Sequence, residues 1–274
     1  VWLPYFIALR FLTKQRGSFS AFIIRLAAGA TALSVAVMLV SAAVVTGFQS
    51  AIEEKLYAFW GHIQITSYTT NTADQLSTPP IPFDPVLREK VLRQSGAQQV
   101  APYALQPIIL RTPAGLEGIA LKGIASDFRP SAAMSVEGAL SFADTAYSKD
   151  LLISGTIANR LRLKSGDAVL AYFLQPGGGL PKVRKLHIAG TYHTGLDEVD
   201  KTFALCDMRL VQRLAGWEAN DITGYQVDLP DSRKAEETAA GIYDRLLQAP
   251  MQAYPLTQRY PQIFDWLRLQ ATNV

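Results

Sequence analysis

The chain has 274 residues, 49% of them hydrophobic and 18% charged, with a formal net charge of +3. That balance excludes a disordered chain and supplies no basic field suited to nucleic acid. A single cysteine, Cys206, excludes an intrachain disulfide, and its neighbours Phe203-Ala204-Leu205 place it at a buried strand end rather than in a reactive site.

Residues 1–16 put Tyr5, Phe6, Leu9, Leu12 and Thr13 near one side of a helix, with Arg10, Lys14 and Arg16 elsewhere. Such a helix lies along a membrane surface. The stretch from Leu26 to Ile52 then carries no charged residue. Its apolar core, Leu26 to Val45, is as a helix about 30 Å long, the hydrocarbon thickness of a bilayer. A surface helix would show a polar stripe, and this one shows small residues and two serines. The reading is a membrane span; a signal peptide and a buried core helix are the competing readings. Arg10, Lys14, Arg16 and Arg25 precede the span, and Glu53 and Glu54 follow it. The positive-inside rule therefore puts the N-terminus in the cytoplasm and residue 53 onward outside. Ala28, Ala32 and Ala36, spaced by four, form a face on which another helix can approach closely.

Phe48, Ile52, Leu56 and Phe59 continue an apolar face past the span, and Gly61 supplies a C-cap. One helix from about Ser20 to Phe59 is predicted, part in lipid and part a stalk. A stalk can carry motion to an external domain or merely anchor it. Beyond the span, about 210 residues remain, enough for one large or two small subdomains with their own cores.

His62–Tyr68 alternates as a strand. Asn71–Pro85 is a proline-rich loop. Pro85–Gln94 is a helix with Asp84 as N-cap and Gly96 ending it. Val100–Arg111 and Glu117–Ile124 are strands joined by the turn Thr112-Pro113-Ala114-Gly115. Ser126–Asp150 reads as an irregular excursion with short helices. Ile153–Leu161 fits a short helix. Ala168–Leu174 and Lys182–Tyr192 form a hairpin around Gln175, Pro176, Gly177, Gly178, Gly179, Leu180 and Pro181. That loop is no phosphate cradle, because no helix follows it and no Lys-Ser/Thr pair closes it. Thr194–Asp200 is an acidic turn, with Asp197, Glu198 and Asp200 read as solvated. Thr202–Cys206 is a strand, Asp207 caps a helix Met208–Ala215, and Gly224–Leu229 is a strand. Asp231 caps a helix Ser232–Leu247 whose inward face carries Ala235, Thr238, Ala239, Ile242, Leu246 and Leu247. Gln262–Leu269 is apolar on one side.

No catalytic triad and no metal cluster emerges. His187 and His193 share a strand face but lie about 20 Å apart, too far for one ion. No G-x-x-x-x-G-K-[ST] occurs, so this chain does not hydrolyse ATP by that route.

Several stretches, taken together and in order, resemble the LolC/LolE-type permeases of lipoprotein-releasing ABC transporters, in the superfamily of MacB and FtsX. Tyr5-Phe6-Ile7-Ala8-Leu9-Arg10-Phe11-Leu12 is similar to the family's F-I-A-x-R-Y-L opening. Val45-Thr46-Gly47-Phe48 resembles its N-G-F at the outer end of the first span, and Gly61-His62-Ile63-Gln64-Ile65 its G-x-H-I-x-I/V. Gly155 to Asp167 resembles G-x-x-L/I-A-x-x-L-x-L-x-x-G-D. Gly190-Thr191-Tyr192 with Glu198-Val199-Asp200 resembles G-x-F…E-Y/V-D, and Phe264-Asp265-Trp266-Leu267 the approach to the second span.

The resemblance implies an α+β extracytoplasmic domain of the MacB periplasmic-core type, with two α/β subdomains, carried on one long transmembrane and stalk helix. It divides the chain into a cytoplasmic interfacial helix (1–18), span and stalk (19–60), external domain (61–261) and the lead-in to a second span that the chain lacks (262–274). It implies an inner-membrane permease without a cofactor or metal. Its expected partners are a cytoplasmic ABC ATPase on a separate chain, a second permease subunit, a lipoprotein substrate and a periplasmic lipoprotein chaperone. Val45 and Phe48 would face a lipid cavity, and Gln175–Pro181 would be the partner-binding hairpin, short and glycine-rich for a chaperone hook. An FtsX-like scaffold that activates a wall hydrolase and a MacB-like efflux subunit are the alternatives.

Overall fold

The structure is a computed structural model that describes residues 3–6, 19–68, 78–142, 147–173 and 181–272. Residues 3–6 are helical and exposed, and the rest of the expected interfacial helix lies outside the described residues. The chain forms two compact units, one of Val1–Ala51 with Ile263–Val274, the other of Ile52–Gln262.

The first unit is built on α1 (Phe19–Trp60), a helix of 42 residues whose last turns belong to the second unit. Leu26, Leu33, Val37, Met38, Leu39, Val40 and Val44 are all exposed. Its hydroxyls turn inward: Thr31 and Thr46 donate to the carbonyls of Ala27 and Ala42 at 2.9 and 2.8 Å. A helix whose middle is apolar on its exterior and whose threonines are satisfied by its own backbone matches the demands of lipid. Among the described residues, α1 is the one helix long and apolar enough to cross a membrane.

The second unit is α+β. Its strands are β1 (Ile63–Ser67), β2 (Ile81–Pro82), β3 (Gln99–Thr112), β4 (Gly115–Ile124), β5 (Ser135–Gly138), β6 (Asp150–Ser154), β7 (Ala168–Phe173), β8 (Lys182–His193), β9 (Phe203–Asp207), β10 (Asp221–Ile222), β11 (Gly224–Asp228) and β12 (Met251–Pro255). Its helices are α2 (Pro85–Ser95), α3 (Gly155–Leu161), α4 (Asp197–Thr202), α5 (Met208–Ala215), α6 (Ala235–Leu246) and α7 (Leu256–Arg259), and α8 (Pro261–Thr272) follows.

Two subdomains share one strand. The first is an open antiparallel sheet, β12-β1-β11-β3. On one face Ile63, Ile65, Val100, Tyr225 and Val227 form a core with Leu87 and Val91 of α2 and with Ala235, Ala239 and Ile242 of α6. In the second, the pairings β3-β4, β4-β9, β9-β6, β6-β8, β8-β7 and β7-β3 close a ring of strands. Closure removes the edges an open sheet would expose. Ile108, Leu110, Leu121, Ile153, Ala171, Phe173, Ile188 and Cys206 share a second core with Ile157 of α3 and Leu210 of α5. The 14-residue β3 runs through both: residues 99–103 pair with β11 and residues 108–111 with β7.

The caps expected from the sequence hold α2 and α5. Asp84 accepts from the amides of Val86 (2.8 Å) and Leu87 (3.1 Å), and Gly96 ends α2 at φ 65°. Asp207 accepts from the Arg209 amide at 2.9 Å; Gly216, which the sequence reading did not single out, ends α5 at φ 75°.

Five expectations are corrected. The stretch from Ser126 to Asp150 holds β5 and no helix among its described residues; Gly190 lets β5 lie close, since a Cβ there would meet the Glu137 carbonyl at 2.0 Å. Ile153 and Ser154 end β6 rather than open a helix, because the Ser154 hydroxyl accepts from the Ile157 amide at 3.0 Å and caps α3. The acidic turn is α4, and Asp200 is buried, not solvated. It accepts from Thr194 N (3.1 Å), Thr194 Oγ1 (2.7 Å) and Gly195 N (3.2 Å). Asp231 caps a 3₁₀ turn, Ser232–Lys234, before α6 begins. Finally, β1, read as alternating, is buried on both faces.

Candidate functional site

The second face of the open sheet explains the burial of β1. Gln64 and Thr66 point away from the apolar core, in line with Gln226 and Asp228 of β11 and Lys122 of β4. The foot of α1 belongs to this buried layer: Leu56, Tyr57, Ala58, Phe59 and Trp60 are all buried.

Gly61 turns the chain from helix to strand at φ 75°, its amide donating to the Tyr57 carbonyl at 2.7 Å. A Cβ here would stand 2.5 Å from Gln226 Cγ and 3.0 Å from Asp228 Oδ1, so both conformation and space require glycine. The His62 amide then donates to the Val227 carbonyl at 2.9 Å. Its ring stacks on Tyr57, centroids 4.3 Å apart, and its Nδ1 accepts from the Leu229 amide at 3.1 Å. An accepting Nδ1 belongs to neutral imidazole, and burial lowers the His62 pKa to about 4.

Lys122 is the centre of the joint. Its side chain is buried, and its Nζ donates to the Phe59 carbonyl, one of the last in α1, and to Gln226 Oε1 at 2.8 Å. A cation at a helix C-terminus meets both an orphan carbonyl and the negative end of the dipole. The ammonium lies 4.4 Å from the ring centre of Phe59, 4.8 Å from Trp60, 5.6 Å from Tyr103 and 5.8 Å from Phe128. These rings offer it their negative faces. Gln226 passes the connection on, its Nε2 lying 3.3 Å from Asp228 Oδ1. Burial lowers the Lys122 pKa to about 7, opposed by the nearby charge of Asp228. Burial raises Asp228 to about 6, opposed by the bond from Gln226 and by Lys122.

Rings extend the joint toward the strand ring. Phe59 lies 5.4 Å from Phe203 of β9 and 6.2 Å from Tyr192 of β8, and Trp60 meets Phe203 edge-on at 4.9 Å. The Tyr192 hydroxyl donates to the Phe203 carbonyl at 2.7 Å. One turn up α1, Lys55 Nζ occupies the space a Cβ on Gly195 would need, 2.5 Å away. Asp200 fixes that loop. The arrangement grips a helix end.

The sequence-derived site residues lie elsewhere. Val45 is half-buried on α1, and Phe48 meets Trp266 of α8 edge-on at 6.0 Å. Gln49 donates to the Leu267 carbonyl beside them. Ala28, Ala32 and Ala36 are exposed. Gln175, Pro176, Gly177, Gly178, Gly179 and Leu180 lie outside the described residues, and Pro181 is exposed at the foot of β8. Cys206 is buried in the ring core, where burial and Asp207 push its thiol pKa up, against any reactive role. His187 and His193 are exposed, and no metal-holding group of three or more His, Cys, Asp and Glu exists among the described residues. His193 instead packs over Gly155, whose Cβ would lie 2.0 Å from the imidazole. Sequence reasoning missed Lys122, Gln226 and Asp228. The available signal was a lysine amid Ile119-Ala120-Leu121 and Ile124, where a strand buried on both faces has no place for an unpartnered charge.

No family model matches the chain. It is 25% identical over 276 residues to the lipoprotein-releasing system transmembrane protein LolC of Xylella fastidiosa (strain Temecula1 / ATCC 700964), covering 97% of this chain and 63% of that protein. It is 22% identical over 234 residues to the lipoprotein-releasing system transmembrane protein LolE of Haemophilus influenzae (strain ATCC 51907 / DSM 11121 / KW20 / Rd), covering 83% of this chain and 55% of that protein. The chain thus spans less than two thirds of the length of these relatives. Its fold is similar to that of the periplasmic region of MacB from Actinobacillus actinomycetemcomitans, with a TM-score of 0.50 at 12% identity over 74% of this chain and 92% of that structure. The chain is thus similar to the LolC and LolE transmembrane proteins, and its α+β domain has a fold similar to that of the MacB periplasmic region.

Proposed function

We propose that this chain supplies a membrane span and the external domain of an ABC transporter permease that extracts lipoproteins from the inner membrane toward the outer membrane. The observation that carries the reading is α1 itself. One helix runs without a break from a charge-free apolar stretch to a gripped end within the domain, so a displacement at the membrane reaches the domain directly. The N-terminus lies in the cytoplasm, where an ATPase on a separate chain drives the cycle; a second permease subunit completes the complex. Val45 and Phe48 border the lipid-binding cavity, and the hairpin 175–181 meets a periplasmic carrier.

Photocrosslinkers at Val45, Phe48 and Gly178 of the full-length protein in cells test this. Lipoprotein adducts at Val45 and Phe48 are expected. Adducts to wall hydrolases alone, or none to lipoproteins, would replace extraction by the scaffold or efflux reading.

A further inference from the structure

The layer between the foot of α1 and the sheet is polar, unlike the two apolar cores. Four of its atoms have no hydrogen-bond partner among the described residues: Trp60 Nε1, Gln64 Oε1, Tyr103 Oη and Arg259 Nε. Their residues are 0%, 0%, 2% and 7% exposed. They come from four elements that meet here. The rings of Trp60 and Tyr103 are 6.5 Å apart, and the Gln64 side chain lies 3.5 Å from the Trp60 carbonyl. Arg259 donates to the Tyr254 hydroxyl, and Tyr254 pairs with Gln64 across β12 and β1. Tyr103 feels the charge of Arg259 and the hydroxyls of Tyr254 and Tyr260.

Buried donors and acceptors are rarely left bare, because each forfeits its hydration. The chemistry of the set decides what satisfies it. Trp60 and Arg259 offer N–H donors, Gln64 an acceptor and Tyr103 a group that is both. An oxyanion would suit the donors and be repelled by Gln64 Oε1; an apolar ligand would satisfy none of them. Water, which accepts two hydrogen bonds and donates two, suits them all.

We propose that this layer is an internal water site, with water bridging Trp60 Nε1 and Arg259 Nε to Gln64 Oε1 and Tyr103 Oη. The last residue of α1 is then fastened to the sheet by exchangeable bonds at its indole, and the residue before it by the Lys122 bond to the Phe59 carbonyl. The site does not depend on what the protein transports.

The test is water-to-indole magnetisation transfer on ¹⁵N-tryptophan-labelled full-length protein in nanodiscs. The Trp60 signal is assigned by its loss in Trp60→Phe or, should that variant fail to fold, by its shift in Gln64→Leu. A cross-peak between the Trp60 indole proton and long-lived water is expected; its absence overturns the site. Thermal unfolding of Tyr103→Phe is the second measurement. A bridged hydroxyl predicts a fall in Tm of about 2–4 °C for a domain of this size. A dry, unpaired hydroxyl predicts no change or a rise, and that result also overturns the proposal.

Discussion

Lys122 of β4 reaches across a buried layer to the main-chain carbonyl of Phe59, the penultimate residue of α1. A side chain of the sheet thereby ends the helix that the sheet must follow. Lys122→Ala leaves the Phe59 carbonyl and Gln226 without their donor and Asp228 without its counter-charge. It should cost about 1–3 kcal/mol of domain stability, the penalty for buried hydrogen-bonding groups left bare. Lys122→Met keeps the packing and should cost less, yet, in the permease role proposed above, uncouple substrate transport from ATP turnover. Denaturant unfolding and a transport assay run with an ATPase assay check the two halves.

The joint has a pH signature with opposing signs. The folded Lys122 titrates near 7 against 10.5 for a free lysine, so the unfolded chain binds more protons between those values. Stability gained from this group therefore rises with pH from about 7 upward. Asp228, near 6 against 3.8, holds its proton longer when folded, so its contribution falls as pH rises from 3.8 to 6. His62, near 4 against 6.5, works the other way and loses stability as pH falls through that window. Tm against pH, compared with Lys122→Met, Asp228→Asn and His62→Gln, separates them. Lys122→Met should flatten the alkaline rise and, by removing the charge that opposes the Asp228 shift, extend the Asp228 window to higher pH.

The span reading is exposed to a single charge. Leu39→Lys places an ammonium in the middle of the apolar stretch and should cost about 2.5–3.5 kcal/mol of insertion. Carbonate extraction should move part of the protein from the membrane pellet to the supernatant. Equal pelleting of variant and parent would count against α1 spanning a bilayer.

Asp200 tests the loop beside the stalk. Asp200→Ala strips three hydrogen bonds from Thr194 and Gly195 and leaves buried donors bare, an expected loss of about 1–3 kcal/mol. Hydrogen exchange should quicken at residues 194–196 before it does in the cores.

How much of this was legible depended on how local the determinant was. Asp84, Gly96 and Asp207 act within one turn of their helices, and the elements they bound were readable from the chain. The charge-free run of α1 was readable for the same reason. Strand ring closure was not, because the pairing of β3 with β7 and of β6 with β8 is set by contacts far apart in sequence. Asp200 looked like a solvated carboxylate because its three donors lie in the preceding turn, whose fold the sequence does not advertise. The joint escaped for a related reason: Lys122, Gln226 and Phe59 are separated by tens to hundreds of residues and converge only on the unexpected second buried face of β1. That face also explains why β1 read as alternating, since Gln64 and Thr66 are polar yet buried.

The sharing of β3 bears on how such a domain can change over time. The open sheet and the strand ring have no linker between them: residues 99–103 of one strand complete the first and residues 108–111 the second. Neither part can be excised, swapped or duplicated as a module without leaving the other an unpaired edge. New specificity is then free to accumulate in the loops and hairpins at the rim, while the wall between the two halves stays under joint constraint.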